Sequence, residues 1–364
     1  MSGKVVLAGS TSGTITLQAP AVAGNTVITL PATSGDLSLG IPSVASRPGS
    51  PTAGTVIWNT TNNALETYVG TGWVTIASQT LSVRYLIVAG GGGGGSDMGG
   101  GGGAGGYLAS ESITLQPNVD YSIIVGSGGA GAPAGISQVR GTNGQNSSAF
   151  GVTAIGGGGG ASEYGNNNSP AGNGGSGGGT AGYSSVTFGT GTVGQGNNGG
   201  PSGGQYYPGG GGGAGAVGTT NPADGGAGLQ NDILGTNYYW AGGGGGAGYS
   251  GRAGNGGAGG GGGGGPKVSG GGLGNTQGLN PGSDATAGTL VAQTNVPGGN
   301  GGANTGGGGG GGAHYNSNNY GGTGGSGIVV IRYSGAQRAT GGTITNVSGN
   351  TVHIFTTSGT FRIS

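Results

Sequence analysis

The stretch YLIVAGGGGGGSDMGGGGGAGG, residues 85–106, decides the fold, because it joins a β-type run directly to two runs of glycine. The chain contains seven runs of five to seven consecutive glycines among its 108 glycines. Apolar or aromatic residues also precede the third and fifth runs, at 152–155 and 238–240, where a flexible linker would carry serine. Glycine loses more backbone entropy on folding than any other residue. An ordered arrangement therefore needs a strong compensating interaction.

The unbroken glycine runs predict an array of polyglycine-II helices that lie side by side. Such a helix has three residues per turn, rises about 3.1 Å per residue and makes no internal hydrogen bonds. Every backbone N–H and C=O group must therefore find a partner in a neighbouring run. Collagen meets the same need with a strict Gly-X-Y period and abundant proline, whereas these runs are unbroken and the chain has 14 prolines. We therefore reject a collagen fold.

Composition limits the possible partners. Nine basic and nine acidic residues give a formal net charge of zero, which argues against an electrostatic grip on nucleic acid or on an anionic membrane. No stretch approaches the roughly 20 apolar residues of a membrane span, so we expect no membrane insertion. The N-terminus lacks the apolar core of a secretory signal, so we expect release by lysis rather than secretion. The chain has no cysteine, so neither disulfides nor thiolate metal sites are available.

We predict an all-β chain with a polyglycine-II array, essentially no α-helix, and four segments. These segments are 1–41 with short strands such as 13–17 and 25–30, 42–80 as a small β-meander, 81–334 as the glycine-rich domain, and 335–364 as C-terminal β-strands. Short strands with two packing faces cannot bury them alone, so residues 1–41 suggest a homotrimer. The strands at 83–88 and 327–333 frame the glycine-rich domain and are expected to pair.

Enzymatic chemistry has few residues to use. The chain has two histidines, and neither His314, predicted in a loop, nor His353, predicted in a strand, has an acidic residue nearby in sequence. Matches to G-x-G-x-x-G carry no meaning, because glycine runs satisfy that pattern automatically. No catalytic residue, cofactor or metal-ligand spacing is nominated, although a single ion held by loop carbonyls and Asp224 or Asp284 stays open. We predict that the chain is not an enzyme.

The inserts between glycine runs combine tyrosine or tryptophan with asparagine, glutamine and serine. Rigid aromatic area with adaptable amides suits the binding of carbohydrate or protein surfaces. The candidate binding residues are Tyr164, Tyr206, Tyr207, Asn237, Tyr238, Tyr239, Tyr315 and Tyr320. A structural role is the alternative, in which aromatic rings cover the edges of the array. That role is expected for Trp240 and Tyr249 and, as the small core of the meander, for Trp58, Tyr68 and Trp73.

Four stretches carry a family resemblance: RYLIVAGG at 84–91, YSIIVG at 121–126, SSAFG at 147–151 and GIVVIRY at 327–333. In this order they resemble the glycine-rich domain of bacteriophage tail-fibre proteins, and HIFTTSGTF at 353–361 is similar to a strand motif that accompanies it. The alternation of glycine runs with variable inserts is similar to the distal adhesins of T-even-type phages. The segment TITLQAP at 14–20 and the unit at 47–73 resemble shaft or attachment modules of tail fibres, particularly those of phages that infect aquatic bacteria and cyanobacteria.

The resemblance implies a virion protein that is assembled in the host cytoplasm and released by lysis. Its loops would bind a bacterial surface glycan or outer-membrane protein, and residues 1–41 would attach a trimer to other tail or baseplate proteins. The chain departs from the T-even adhesins because it carries its own N-terminal modules. A purely structural fibre or connector without receptor recognition remains the alternative. Ice binding and glycan degradation are weaker hypotheses, because the inserts are irregular and no pair of catalytic carboxylates stands out.

Overall fold

A computed structural model describes most of the chain. The described residues are 4–8, 14–18, 41–62, 64–78, 80–133, 139–164, 167–182, 187–204, 206–249, 252–267, 270–285, 296–314 and 319–363. These residues form strands, turns and extended segments without any helix, as predicted, so none of them makes an apolar helix long enough to span a bilayer. They belong to two compact units, residues 1–78 and 79–364. The predicted C-terminal segment 335–364 is therefore part of the same unit as the glycine-rich domain.

The first unit begins with an antiparallel hairpin of β1 (Lys4–Ala8) and β2 (Thr14–Gln18), in which Lys4 lies opposite Gln18. Strand β2 confirms the strand predicted at 13–17, whereas the strand predicted at 25–30 lies outside the described residues. Four further strands form a second sheet in sequential order. They are β3 (Ser43–Val44), β4 (Val56–Asn59), β5 (Ala64–Tyr68) and β6 (Trp73–Ser78). The predicted meander is confirmed as β4–β6, and β3 adds a short parallel strand beside β4.

The aromatic residues of this sheet do not all meet. The rings of Tyr68 and Trp73 are in contact, with centroids 5.6 Å apart. Trp58 lies directly opposite Leu65, and side chains alternate between the two faces of a strand. Trp58 therefore lies on the other face from Tyr68, and the predicted cluster of three rings is reduced to a pair.

The buried carboxylate of Glu66 binds the loop between β3 and β4 to this sheet. The Glu66 side chain has no exposed area and accepts two hydrogen bonds from Arg47, at 3.0 and 2.8 Å. The amides of Asn59 and Asn62 each donate to Glu66 at 2.9 Å. The hydrogen bonds from Arg47, more than those from the amides, lower the pKa of Glu66 to about 2. The carboxylate is therefore the form that the fold requires.

The stability of the first unit is expected to depend on acid through Glu66. Because the pKa of Glu66 is lower in the folded protein than in the unfolded chain, its contribution is present above pH 4.5 and is lost as pH falls towards about 2. Thermal melts followed by the fluorescence of Trp58 and Trp73 should show this loss. Glu66→Gln should remove the acid dependence, whereas the exposed Glu111→Gln should retain it. An unchanged pH profile in Glu66→Gln would contradict the role of the carboxylate.

The second unit has a β framework and three separate hairpins. The framework strands are β7 (Leu81–Val88), β8 (Tyr107–Leu115), β9 (Asp120–Ile123), β16 (Ile328–Ser334), β17 (Ala339–Thr340), β18 (Thr343–Val347), β19 (Asn350–Phe355) and β20 (Gly359–Ile363). The hairpin strands are β10 (Ser147–Ala149) with β11 (Val152–Ala154), β12 (Ser162–Tyr164) with β13 (Asn167–Ser169), and β14 (Leu229–Asn231) with β15 (Tyr238–Trp240). The framework consists of a five-stranded sheet, β18-β19-β16-β7-β8, and a three-stranded sheet, β17-β20-β9.

The two strands that frame the glycine-rich domain pair as predicted. Strands β7 and β16 are antiparallel neighbours, with Val88 opposite Ile328 and Arg84 opposite Arg332. The second half of strand β7 is buried on both faces: Ile87 packs in a cluster with Phe361, whereas Leu86 packs in a cluster with Trp240. Burial on both faces explains why residues 85–88 are a continuous apolar run, whereas the first half of the strand alternates and exposes Ser82. The apolar core of the unit thus lies where the glycine runs begin and end.

Hydrogen bonds between the glycine runs repeat every three residues. Gly91 donates to Gly325 and Gly94 donates to Gly322, both at 2.9 Å. The residues between them donate to other runs, and each of these partners also recurs after three positions. Three residues per turn with every donor directed outward is the geometry of polyglycine II. The structure therefore shows the predicted array.

The first glycine run has six neighbouring runs. The backbone N–H groups of residues 90–95 donate to carbonyl groups in the segments 100–103, 142–145 and 322–325. Their carbonyl groups accept from N–H groups in the segments 129–132, 157–160 and 309–312. This packing leaves no room for side chains. An added Cβ at Gly94 would collide with the carbonyl oxygen of Gly310, and one at Gly308 would collide with that of Gly102. The array therefore requires glycine because neighbouring backbones are in direct contact.

Gly308→Ala is expected to destabilise the second unit by about 3 kcal/mol or more, because rigid backbone must move to admit the methyl group. Gly359→Ala is the matched control, because its added Cβ would meet Phe355 at an ordinary 3.6 Å. Chemical denaturation of both variants measures the difference in the free energy of unfolding. Equal stability of the two variants would contradict close packing of the runs.

Candidate functional site

The glycine array has two ends. Strands β7, β8, β11 and β16 join it at the framework end. Because residues 90–95 lead away from β7 and residues 99–106 lead back to β8, the connection Ser96–Met98 lies at the opposite end. Backbone hydrogen bonds place further connections beside it, such as those from Ala247 to Gly99 and from Gly182 to Met98. We call this the loop end and define it by residues 96–98, 161–164, 206–208, 219–224, 247–249, 252, 266–267, 313–314 and 319–320.

Tyr249 is the centre of a cluster at the loop end. The ring of Tyr206 stacks on Tyr249 with centroids 4.1 Å apart and planes 19° apart. The Nζ atom of Lys267 lies 3.5 Å from the centre of the same ring. A stacked ring and an ammonium group cannot share one face at these distances, so they cover opposite faces of Tyr249. The cation–π contact and the stacking join three loops that are distant in sequence.

A histidine–aspartate pair adjoins this cluster. Nδ1 of His314 lies 2.7 Å from Oδ1 of Asp97, and the His314 ring centre is 5.2 Å from that of Tyr249. His314 has no acidic residue nearby in sequence, and the structure brings Asp97 to it from a distant connection. Each residue lies two positions after a glycine run, and this spacing pairs them only because of the register of the two runs. Those runs are parallel, with Gly309 bonded to Gly92 and Gly312 to Gly95, and the same offset of 217 residues joins His314 to Asp97.

A small cleft lies next to the cluster. Its walls are Tyr206–Pro208, Asn221–Ala223, Ala247–Tyr249 and Arg252. Nη2 of Arg252 lies 3.1 and 3.2 Å from the two carboxylate oxygens of Asp224. The backbone N–H of Asn255 also donates to Asp224, at 2.6 Å. The ion pair is therefore oriented by the backbone, although both side chains remain partly exposed.

Several predicted binding residues lie at the loop end. Tyr207 and Tyr320 are exposed by 36% and 50%, as their loop positions suggested, whereas Tyr206 is half-buried through its stacking on Tyr249. Tyr164 is the last residue of β12. The residue before it, Glu163, donates its backbone N–H to the carbonyl of Ser96 in the connection Ser96–Met98. The prediction for Tyr315 lies outside the described residues.

The insert at 237–239 lies at the framework end instead. Tyr238 packs against the apolar cluster that contains Trp240, and the hairpin β14–β15 is tied to the framework by an ion pair between Asp232 and Arg84 at 2.9 Å. The hydrogen bond from Arg84 lowers the pKa of Asp232. Asn237 is exposed and Tyr239 is half-buried. The structure therefore does not bring this insert together with Tyr207 and Tyr320.

Trp240, Tyr249 and His353, which were also considered from the sequence, differ in how deeply they are buried. Trp240 is completely buried, while Tyr249, grouped with it as structural, is half-buried at the loop end. His353 is also completely buried in the framework. Its Nδ1 donates to the carbonyl of Gly341 at 2.7 Å and its Nε2 accepts from the hydroxyl of Tyr333 at 3.0 Å. Burial lowers the pKa of His353, so the neutral ring is favoured as a packing element.

No group of three potential metal-binding side chains occurs in the described part of the chain. The two carboxylates considered for a single ion are engaged with protein groups. Asp224 binds Arg252, and Asp284 accepts a hydrogen bond from the backbone of Gly274 at 2.8 Å.

An all-β unit built on a polyglycine array, with side chains gathered at its loop end, defines the class of this protein. The profile of the family described as Glycine-rich domain matches residues 65–334, and the chain belongs to that family. Searches of curated proteins and of solved structures give no match.

Proposed function

We propose that the chain is a bacteriophage tail-fibre protein that acts as an adhesin and recognises the host surface through its loop end. Residues 1–41 would attach it, as a homotrimer, to other tail or baseplate proteins of the virion. The partner at the loop end would be a bacterial surface glycan or an outer-membrane protein. Binding rather than catalysis is the proposed activity, and no cofactor, nucleic acid or membrane insertion is involved.

The observation that carries this proposal is the arrangement of side chains around the array. The hydrogen-bonded runs consist of backbone in direct contact, so they offer little chemistry to a partner. The loop end, in contrast, combines exposed Tyr207 and Tyr320 with the cluster around Tyr249 and with the Arg252–Asp224 pair. Contacts between loops hold the cluster around Tyr249 together, which reduces the entropy cost of binding beside it.

Other features agree with a fibre. The sequence resembles tail-fibre modules in both its N-terminal and glycine-rich segments. Several weak sites on a trimer, repeated around a virion, would act together at high effective concentration. The net charge of zero suits a partner recognised by shape and hydrogen bonds rather than by long-range attraction.

The double variant Tyr207→Ala, Tyr320→Ala is expected to bind host bacteria at least about tenfold more weakly, because exposed aromatic side chains supply much of the energy of such interfaces. Its melting temperature should change by no more than about 2 °C, because both side chains are largely exposed. Binding of the labelled full-length chain to a panel of bacteria measures the first quantity, and calorimetry measures the second.

Val193→Ala is the control, because Val193 is 98% exposed and lies in the turn that precedes Gln195 at the framework end. Unchanged binding of the double variant would remove these tyrosines from the site. If the unmodified chain binds none of the strains that its phage adsorbs, the alternative of a purely structural fibre or connector takes the place of the adhesin.

A further inference from the structure

We propose that the cleft beside Arg252 binds a neutral saccharide of the host surface through two adjacent hydroxyl groups. This inference rests on the proposed function and specifies the partner at the loop end. It assigns Arg252 and Asp224 to hydrogen bonding, Tyr207 to packing against the sugar ring, and Tyr249 to positioning the cleft.

The Arg252–Asp224 pair has the donors and acceptors that two neighbouring hydroxyls require. A guanidinium has five N–H donors in a planar fork, and only Nη2 of Arg252 is used by Asp224. The Nε and Nη1 donors therefore remain for a ligand, and the carboxylate oxygens have further lone pairs. One sugar hydroxyl can accept from Arg252 while its neighbour donates to Asp224.

Stability does not account for this pair. The side chains of Arg252 and Asp224 are 45% and 34% exposed, and surface ion pairs contribute little to folding. The backbone N–H of Asn255 nevertheless fixes Asp224, and the side chain of Asn255 in turn accepts from the backbone of Leu273 at 3.0 Å. An exposed pair that is held this firmly is preorganised for an external partner.

The mouth of the cleft also provides apolar surface for the ring of a sugar. Tyr207 and Pro222 are exposed there, whereas Pro208 is buried. The cleft itself has a volume of about 20 Å³, so the ring lies across its mouth rather than inside it. The C–H face of a pyranose packs against such surface while its hydroxyls reach polar groups at the rim. Tyr249 forms a wall, and because Tyr206 and Lys267 cover its two faces, it is available only at its edge.

The charges around the cleft favour a neutral ligand. The cations Arg252 and Lys267 are balanced by the carboxylates Asp224 and Asp97. An acidic polysaccharide would bring its charge close to Asp224 without a surplus of positive charge to offset the repulsion. A neutral sugar uses the donors and acceptors of the pair equally.

Binding of the labelled full-length chain to susceptible cells tests the inference. Mild periodate oxidises adjacent hydroxyls of surface glycans to carbonyl groups by breaking the C–C bond between them, and it should abolish binding, whereas protease treatment of the cells should leave binding intact. Purified neutral polysaccharide from the same cells should compete. Binding that survives periodate and is lost after protease treatment would overturn the saccharide inference while the adhesin proposal stands. The absence of binding to untreated cells would instead remove the adhesin proposal.

Two variants locate the site. Asp224→Asn keeps the shape but removes the charged acceptor, and Arg252→Lys keeps the charge but removes the planar fork. Each is expected to weaken binding about tenfold to hundredfold, with melting behaviour unchanged. Asp120→Asn is the matched control, because Asp120 forms a similarly exposed pair with Arg362 at 2.9 Å in the framework. If Arg252→Lys folds and binds like the unmodified chain, the assignment is wrong, whatever the behaviour of Asp224→Asn.

Discussion

The structure depends on the backbone hydrogen bond between neighbouring glycine runs. In most domains apolar side chains fill the interior, and backbone groups are satisfied within helices and sheets. Here the second unit has an apolar core only at its framework. Beyond the framework the interior consists of peptide groups that hydrogen-bond sideways, so that the first run donates to three neighbours and accepts from three others. Glycine is required because a single methyl group at Gly94 or Gly308 would meet a carbonyl oxygen of the next run. The entropy that glycine loses on folding is offset by lateral hydrogen bonds between backbones that approach closely because the runs carry no side chains.

The framework anchors the glycine runs, and the array presents the loops. Strands β7 and β16 bring the two ends of the glycine-rich domain together and bury apolar side chains on both faces. Isolated polyglycine runs have no such anchor, because they bury no side chains. The array extends from this anchor and presents its connections at the far end. The loops at the loop end can therefore differ from one another in length and composition while the apolar core and the packing of the runs stay the same.

Much of this fold was predictable, because its signals are local. Glycine runs preceded by β-type residues indicate the array, and alternating or apolar runs indicate the strands. The neighbour relations of the runs were not predictable, since a run of identical residues carries no information about its partners. For this reason the inserts around Tyr207 and Tyr238 could not be told apart from the sequence, although they lie at opposite ends of the array. The Asp97–His314 pair follows only once the parallel register between their runs is known.

The three-residue period of the glycine runs fixes the side of each run from which the next loop leaves. Each residue in a run faces a different neighbour from the one before it, because the chain turns by about 120° per residue. A single inserted glycine would leave each hydrogen-bonding site of the run filled by glycine, but it would turn the point where the next loop leaves the run by about 120° around the axis. An insertion of three glycines would return that point to the same side and raise the loop by one turn. Length changes in these runs are thus expected to occur in steps of three, as in a coding sequence, even though every position holds the same residue.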